Sequence, residues 1–133
     1  MTGVQTCALP ISRHGDIGHW FGGNLEDLKR KKGVFEEHCA AVGRNPSDVL
    51  LTLGVGVIIV KDEREGKAIL ERIPAARRQM MQVAPPEGAA EIFRRYAEAG
   101  FGGFTLNNPT LPNPDAIARA GEVIRLMRGV TVG

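Results

Sequence analysis

The chain has 133 residues, with 17 Lys+Arg against 15 Asp+Glu for a formal charge of +2 and 43% hydrophobic residues, which is the make-up of one ordinary globular domain. So even a charge balance gives no long-range field for a phosphate backbone or an anionic membrane surface, and nucleic acid and membrane are excluded as expected partners. Two cysteines cannot staple a secreted scaffold, the longest apolar run (Val55 to Val60, with one Gly) is far short of the roughly 18–20 residues of a membrane helix, and the length excludes a complete fold of about 250 residues.

Residues 1–12 come first in the chain and are set apart. Thr2 to Ile11 reads TGVQTCALPI, which matches the translation of a common sequencing-library adapter, ACT-GGA-GTT-CAG-ACG-TGT-GCT-CTT-CCG-ATC, with an upstream GTG read as Met1. A natural amino-terminal strand is the other reading. On the adapter reading residues 1–12 are an artefact, 13–133 are the domain, and the natural protein continues upstream of Arg13. Cys7 then leaves the inventory and Cys39 stands alone, which suits a reducing, cytoplasmic location.

Ile17-Gly18-His19-Trp20-Phe21 is short, rich in β-formers and closed by Gly22-Gly23, and predicts a buried strand. Asn24 is a good N-cap, with Glu26 and Asp27 in the first turn of the helix that follows. Leu25, Leu28, Phe35, Cys39 and Val42 recur at helical spacing, and Gly43 suits a left-handed cap. Arg44 to Asp48 makes the return turn. Leu50 to Val60 is apolar on both alternating faces, which predicts a parallel strand covered on both sides.

Asp62 caps the next predicted helix, with Ala68, Ile69 and Ile73 facing inward before Pro74. Gln79 to Pro86 reads as a short helix and a loop. Pro86-Glu87 opens a helix that buries Ala90, Ile92, Phe93, Tyr96 and Ala97 and ends at Gly100. Phe101 to Asn107 is a third strand. Asn113-Pro114-Asp115 then starts a helix with Ile117, Ala120, Val123, Ile124 and Met127 inward. The order predicts an α/β chain with three parallel strands and right-handed crossovers. Neither outer strand carries edge protection, so the sheet expects neighbours on both sides.

Gly54-Val55-Gly56 lacks the third glycine of a dinucleotide loop and lies inside a strand, where close backbone or ligand approach accounts for it better. His38 and Cys39 point about 100° apart on one helix, and no ligand cluster suggests a metal. Lys29-Arg30-Lys31-Lys32 is bracketed by Glu26, Asp27, Glu36 and Glu37 and reads as a solvated, ion-paired face. Ligands of parallel sheets sit beyond the carboxyl ends of the strands. There His19, Trp20, Asn107 and Asn108 become the candidate binding residues: Trp and His stack on and hydrogen-bond to planar rings, and Asn both donates and accepts. The competing reading makes Trp20 a packed core residue and the Asn pair a turn. No nucleophile–base or carboxylate pair is visible, so the catalytic residues are unassigned.

Arg13 to Gly23 resembles the segment of the luciferase-like flavin and F420 oxidoreductases where a helix gives way to the sixth barrel strand. Gly15-Asp16 stands there for the family's usual Ala-Asp. Leu28 to Asp48, with His38-Cys39-Ala40-Ala41-Val42-Gly43-Arg44-Asn45-Pro46, is similar to the family's next helix and turn, and Pro86 to Phe104 to its last helix–strand unit. The resemblance implies a TIM (β/α)8 barrel of which this chain supplies strands six to eight. It also implies a parent enzyme that uses coenzyme F420 for hydride transfer to a small organic substrate, and possible homo-oligomers of that parent. FMN is the alternative cofactor, with a monooxygenase activity. As a lone fragment the chain is expected neither to bind cofactor tightly nor to turn over. The rival from another class is a non-catalytic α/β module that dimerises through its open sheet edges.

Overall fold

The computed structural model describes residues 10–78, 81–109 and 113–133. Most of the adapter-like segment, and part of the 79–86 stretch, lie outside the described residues. Residues 10–14 are helical, Ser12 is fully buried and Ile11 packs against the core. Arg44 reaches this segment, donating from Nη1 toward the Ile11 and Ser12 carbonyls at 3.4 and 3.5 Å.

Strand β1 (Ile17–Phe21) leads into α1 (Leu25–Ala41). Asn24 caps α1 as its chemistry predicts, its side chain accepting from the Glu26 N–H at 2.8 Å, and Gly43 leaves the helix at φ +72°. The basic cluster is ion-paired: Lys29 to Glu26 at 3.4 Å, Arg30 and Lys31 to Asp27 at 2.7 and 2.9 Å, and Lys32 to Glu36. A short 3-10 turn, Pro46–Asp48, delivers the chain to the long strand β2 (Leu50–Ile59). Helices α2 (Glu63–Arg72) and α3 (Ala75–Arg78) precede strand β3 (Gln82–Ala84); then come α4 (Pro86–Glu98), strand β4 (Gly103–Asn107) and α5 (Pro114–Leu126). Asp62 and Asn113 cap α2 and α5 by accepting from the Glu65 and Asp115 N–H groups, both at 2.9 Å.

β2 is the axis of a four-stranded parallel sheet. It pairs with β1 from Ile17↔Leu50 to Phe21↔Gly54, with β4 from Thr52↔Gly103 to Gly56↔Asn107, and with β3 from Val57↔Gln82 to Ile59↔Ala84. Thr52, Leu53 and Gly54 have partners in both β1 and β4, which therefore lie on opposite edges of β2. Helices cover one face. Leu51, Leu53, Val55 and Val57 are buried there under Leu28, Phe35 and Cys39 of α1, Ala90 and Phe93 of α4, and Val123 of α5.

Five expectations need correction. β1 is not a buried strand: Gly18 and Trp20 face the helices, while Ile17 and Phe21 are 59% and 79% exposed on the uncovered face. The sheet has a fourth strand, β3, in the stretch expected to be helix and loop; three residues are too few for periodicity to declare them, and their ladder partner lies 25 residues upstream. β2 is covered along its length on one face only: Leu50 is 47% exposed, and Thr52, Gly54 and Gly56 are half-buried. On α2 the buried position is Gly66, not Ala68, because the helix lies so close that a Cβ there would meet Val60 and Val83 methyls at 3.4 Å. On α5 the inward stripe is Ala116, Ala120, Val123 and Met127, at i, i+4, i+7 and i+11, which leaves Ile117 and Ile124 exposed.

Candidate functional site

Residues of a strand alternate between faces, so β1 divides its side chains. Gly18 and Trp20 turn to the helices, while Ile17, His19 and Phe21 lie on the exposed face. The register continues this face across the sheet through Thr52, Gly54 and Gly56 of β2 and Gly103, Thr105 and Asn107 of β4. Its upper part is the carboxyl end of the parallel strands, where loops leave and ligands of such sheets bind.

His19 lies on this surface at its β1 side. Its Nδ1 is 2.8 Å from the Thr52 hydroxyl, which in turn donates to the Gly18 carbonyl at 3.3 Å. Phe21 meets the imidazole edge-on, with centroids 5.8 Å apart and rings at 77°. The floor is Gly54. A Cβ on that residue would stand 3.3 Å from His19 Nε2, 3.3 Å from Phe21 Cδ1 and 3.4 Å from Thr105 Oγ1. Three side chains thus converge over bare backbone, so closely that the strand has a glycine where a Cβ would be crowded.

The four sequence candidates do not form one cluster. His19 and Asn107 share the open face, but their β2 partners are Thr52 and Gly56, four residues apart, so they mark two ends of a surface. Trp20 points the other way and is largely buried, edge-to-face with Phe35 at 5.9 Å and Phe101 at 6.2 Å. Asn108 is also buried, at 7% exposure, where Asn107 is exposed. Thr52 and Thr105 are not among the sequence candidates, whereas Gly54 is read there as a point of close backbone or ligand approach. The one signal for Thr52 was a lone hydroxyl in an apolar run, on the same parity as Gly54 and Gly56.

Three cavities have linings that do not include His19. One of about 510 Å³ is an apolar groove between β4 and α5, lined by Phe93, Phe104, Leu106, Val123, Ile124 and Met127. Another of about 560 Å³ opens at the amino ends of the strands beside Asp16, Pro46 and Leu50. A third, about 400 Å³, borders the loop after β1, where Tyr96 donates from its hydroxyl to the Gly23 carbonyl at 3.2 Å. Among the described residues no three His, Cys, Asp or Glu side chains gather as metal ligands. Cys39 is fully buried and burial pushes its thiol pKa up, the opposite of what a nucleophile needs. No helix among the described residues is long and apolar enough to cross a membrane.

No family model matches the chain, and no curated protein does. Solved structures match its fold. A riboflavin lyase with modified FMN and riboflavin is 16% identical, at TM-score 0.77 over 93% of this chain and 41% of its own. A long-chain alkane monooxygenase is 16% identical, at TM-score 0.73 over 93% and 39%. An F420-dependent secondary alcohol dehydrogenase, in complex with an F420–acetone adduct, is 17% identical, at TM-score 0.72 over 95% and 46%. The fold is therefore that of part of a TIM barrel, as in these structures, and the chain spans less than half of their length.

Proposed function

We propose that the chain is the carboxyl-terminal part of a luciferase-like oxidoreductase that uses a flavin-type cofactor, F420, to move hydride to or from a small organic substrate. The observation that carries this reading is the open sheet face at the strands' carboxyl ends, where His19 and Thr105 meet above the side-chain-free Gly54. The residues present fit such a group. His19, Thr105 and Asn107, on the open face beside Gly54 and Gly56, offer polar contacts to the edge of a planar ring. Trp20 supports this surface from behind, locking β1 onto the helical layer. The cofactor supplies the redox chemistry; this chain's residues bind and orient.

The exposed apolar side chains Ile17, Phe21 and Leu50 fit the same reading, since further barrel strands would enclose them. FMN is the second reading, favoured by the overlay on the riboflavin lyase with its modified FMN. The test is to express the protein encoded by the whole genomic reading frame in a host that makes both F420 and FMN. Purified protein is expected to carry one of the two, identified by mass spectrometry after release, with F420 the prediction. Protein that carries neither and binds neither at about micromolar concentration would overturn the proposal.

A further inference from the structure

We infer that Thr52 is a positioning residue that fixes the imidazole of His19 as the tautomer protonated on Nδ1. His19 Nε2 is then a hydrogen-bond acceptor held over Gly54 for an N–H or O–H group of the bound ligand. The ligand's identity rests on the proposed function; the tautomer does not.

A threonine hydroxyl carries one hydrogen, and a backbone carbonyl only accepts. Thr52 Oγ1 lies 3.3 Å from the Gly18 carbonyl oxygen and 2.8 Å from His19 Nδ1, and both contacts are hydrogen bonds at once only when the hydroxyl gives its hydrogen to the carbonyl and turns a lone pair to Nδ1. In that arrangement Nδ1 brings the hydrogen, and in the neutral ring Nε2 is left with a lone pair. The Phe21 ring flanks the imidazole edge-on. Nε2 falls 3.3 Å from the point a Gly54 Cβ would occupy, and Thr105 Oγ1 lies 3.4 Å from the same point. An acceptor converging there with a hydroxyl, which can donate or accept, suits a ligand edge that carries a donor, such as that of a cyclic amide or imide. A ligand that presents only carbonyl oxygens leaves the His19 lone pair unmatched, and a buried acceptor without a donor weakens binding.

The test uses the 133-residue chain, ¹⁵N-labelled and without cofactor, in long-range proton–nitrogen NMR at about pH 9, where imidazoles are neutral. Loss of one set of ring signals in His19→Gln separates His19 from His14 and His38. The expected result is a pyrrole-like Nδ1 and a pyridine-like Nε2 for His19. In Thr52→Val these positions should exchange toward the Nε2–H form, and in Thr52→Ser the native pattern should return. A pyrrole-like Nε2 in the unsubstituted chain overturns the inference, as does an unchanged pattern in a folded Thr52→Val. If Thr52→Val does not fold, the unsubstituted chain and Thr52→Ser decide by the same signals. Because no cofactor is added, failure here is distinct from failure of the flavin-type reading.

Discussion

Replacing Trp20 with Ala removes the ring that β1 inserts between Phe35 and Phe101. A buried aromatic side chain covers about 150–250 Å². Taking the lower figure for a ring that is largely but not wholly covered, about 25 cal/mol per Å² gives roughly 4 kcal/mol. The two edge-to-face contacts, at 5.9 and 6.2 Å, add about 0.5–1.5 kcal/mol each, and partial collapse of the cavity takes some of this back. The expected loss is about 3–5 kcal/mol, a large share of the roughly 5–15 kcal/mol that holds a domain together. Trp20→Phe keeps a ring in place and should lose about 1–2 kcal/mol. The assay is urea unfolding followed by far-ultraviolet circular dichroism, because Trp20 is the chain's one tryptophan and its removal abolishes the fluorescence signal. A Trp20→Ala loss below about 1 kcal/mol is the behaviour of a surface residue and would refute the core placement.

Gly54→Val puts methyl groups into the space shared by His19, Phe21 and Thr105; the genomic-length protein is expected to fold but lose its cofactor, and undiminished retention after gel filtration would contradict this. Asn24→Ala should cost about 1 kcal/mol in thermal unfolding by leaving the first turn of α1 uncapped, with Asn24→Asp recovering most of it. Cys39 should resist thiol reagents in the folded chain and react on unfolding, as scored by peptide mapping that separates it from Cys7; rapid native labelling would count against its burial. Hydrogen bonds from Lys31, then Arg30, hold the Asp27 carboxyl below its usual range. Its stabilisation is therefore present above the unfolded-state value near 4 and is lost as pH falls through the folded one. Urea midpoints measured between about pH 2 and 7 should accordingly show a shallower acid limb in Asp27→Asn.

Local chemistry made much of the fold legible. Asn24, Gly43, Asp62 and Asn113 each declare a helix end through a bond or a φ angle that depends on one or two neighbours, and the structure has all four. What lay hidden depends on register. His19 and Trp20 are adjacent, and which of them faces the helices is decided by Ile17 pairing with Leu50 across 33 residues. The alternation of β2 is masked because its open-face positions Thr52, Gly54 and Gly56 are small and sit in an apolar run. Thr52 gains its role only from the His19 imidazole and Gly18 carbonyl on the neighbouring strand. β3 is stabilised by the free edge it finds on Val57–Ile59, a long-range partner that no three-residue pattern announces.

The most direct measurement is the genomic DNA sequence read through the codon for Arg13. The account predicts that bases upstream of that codon differ from those encoding TGVQTCALPI and encode further strand–helix units of a barrel in the same frame. A genomic sequence that encodes Met1 to Ser12 as they stand, preceded by a stop codon, would contradict it.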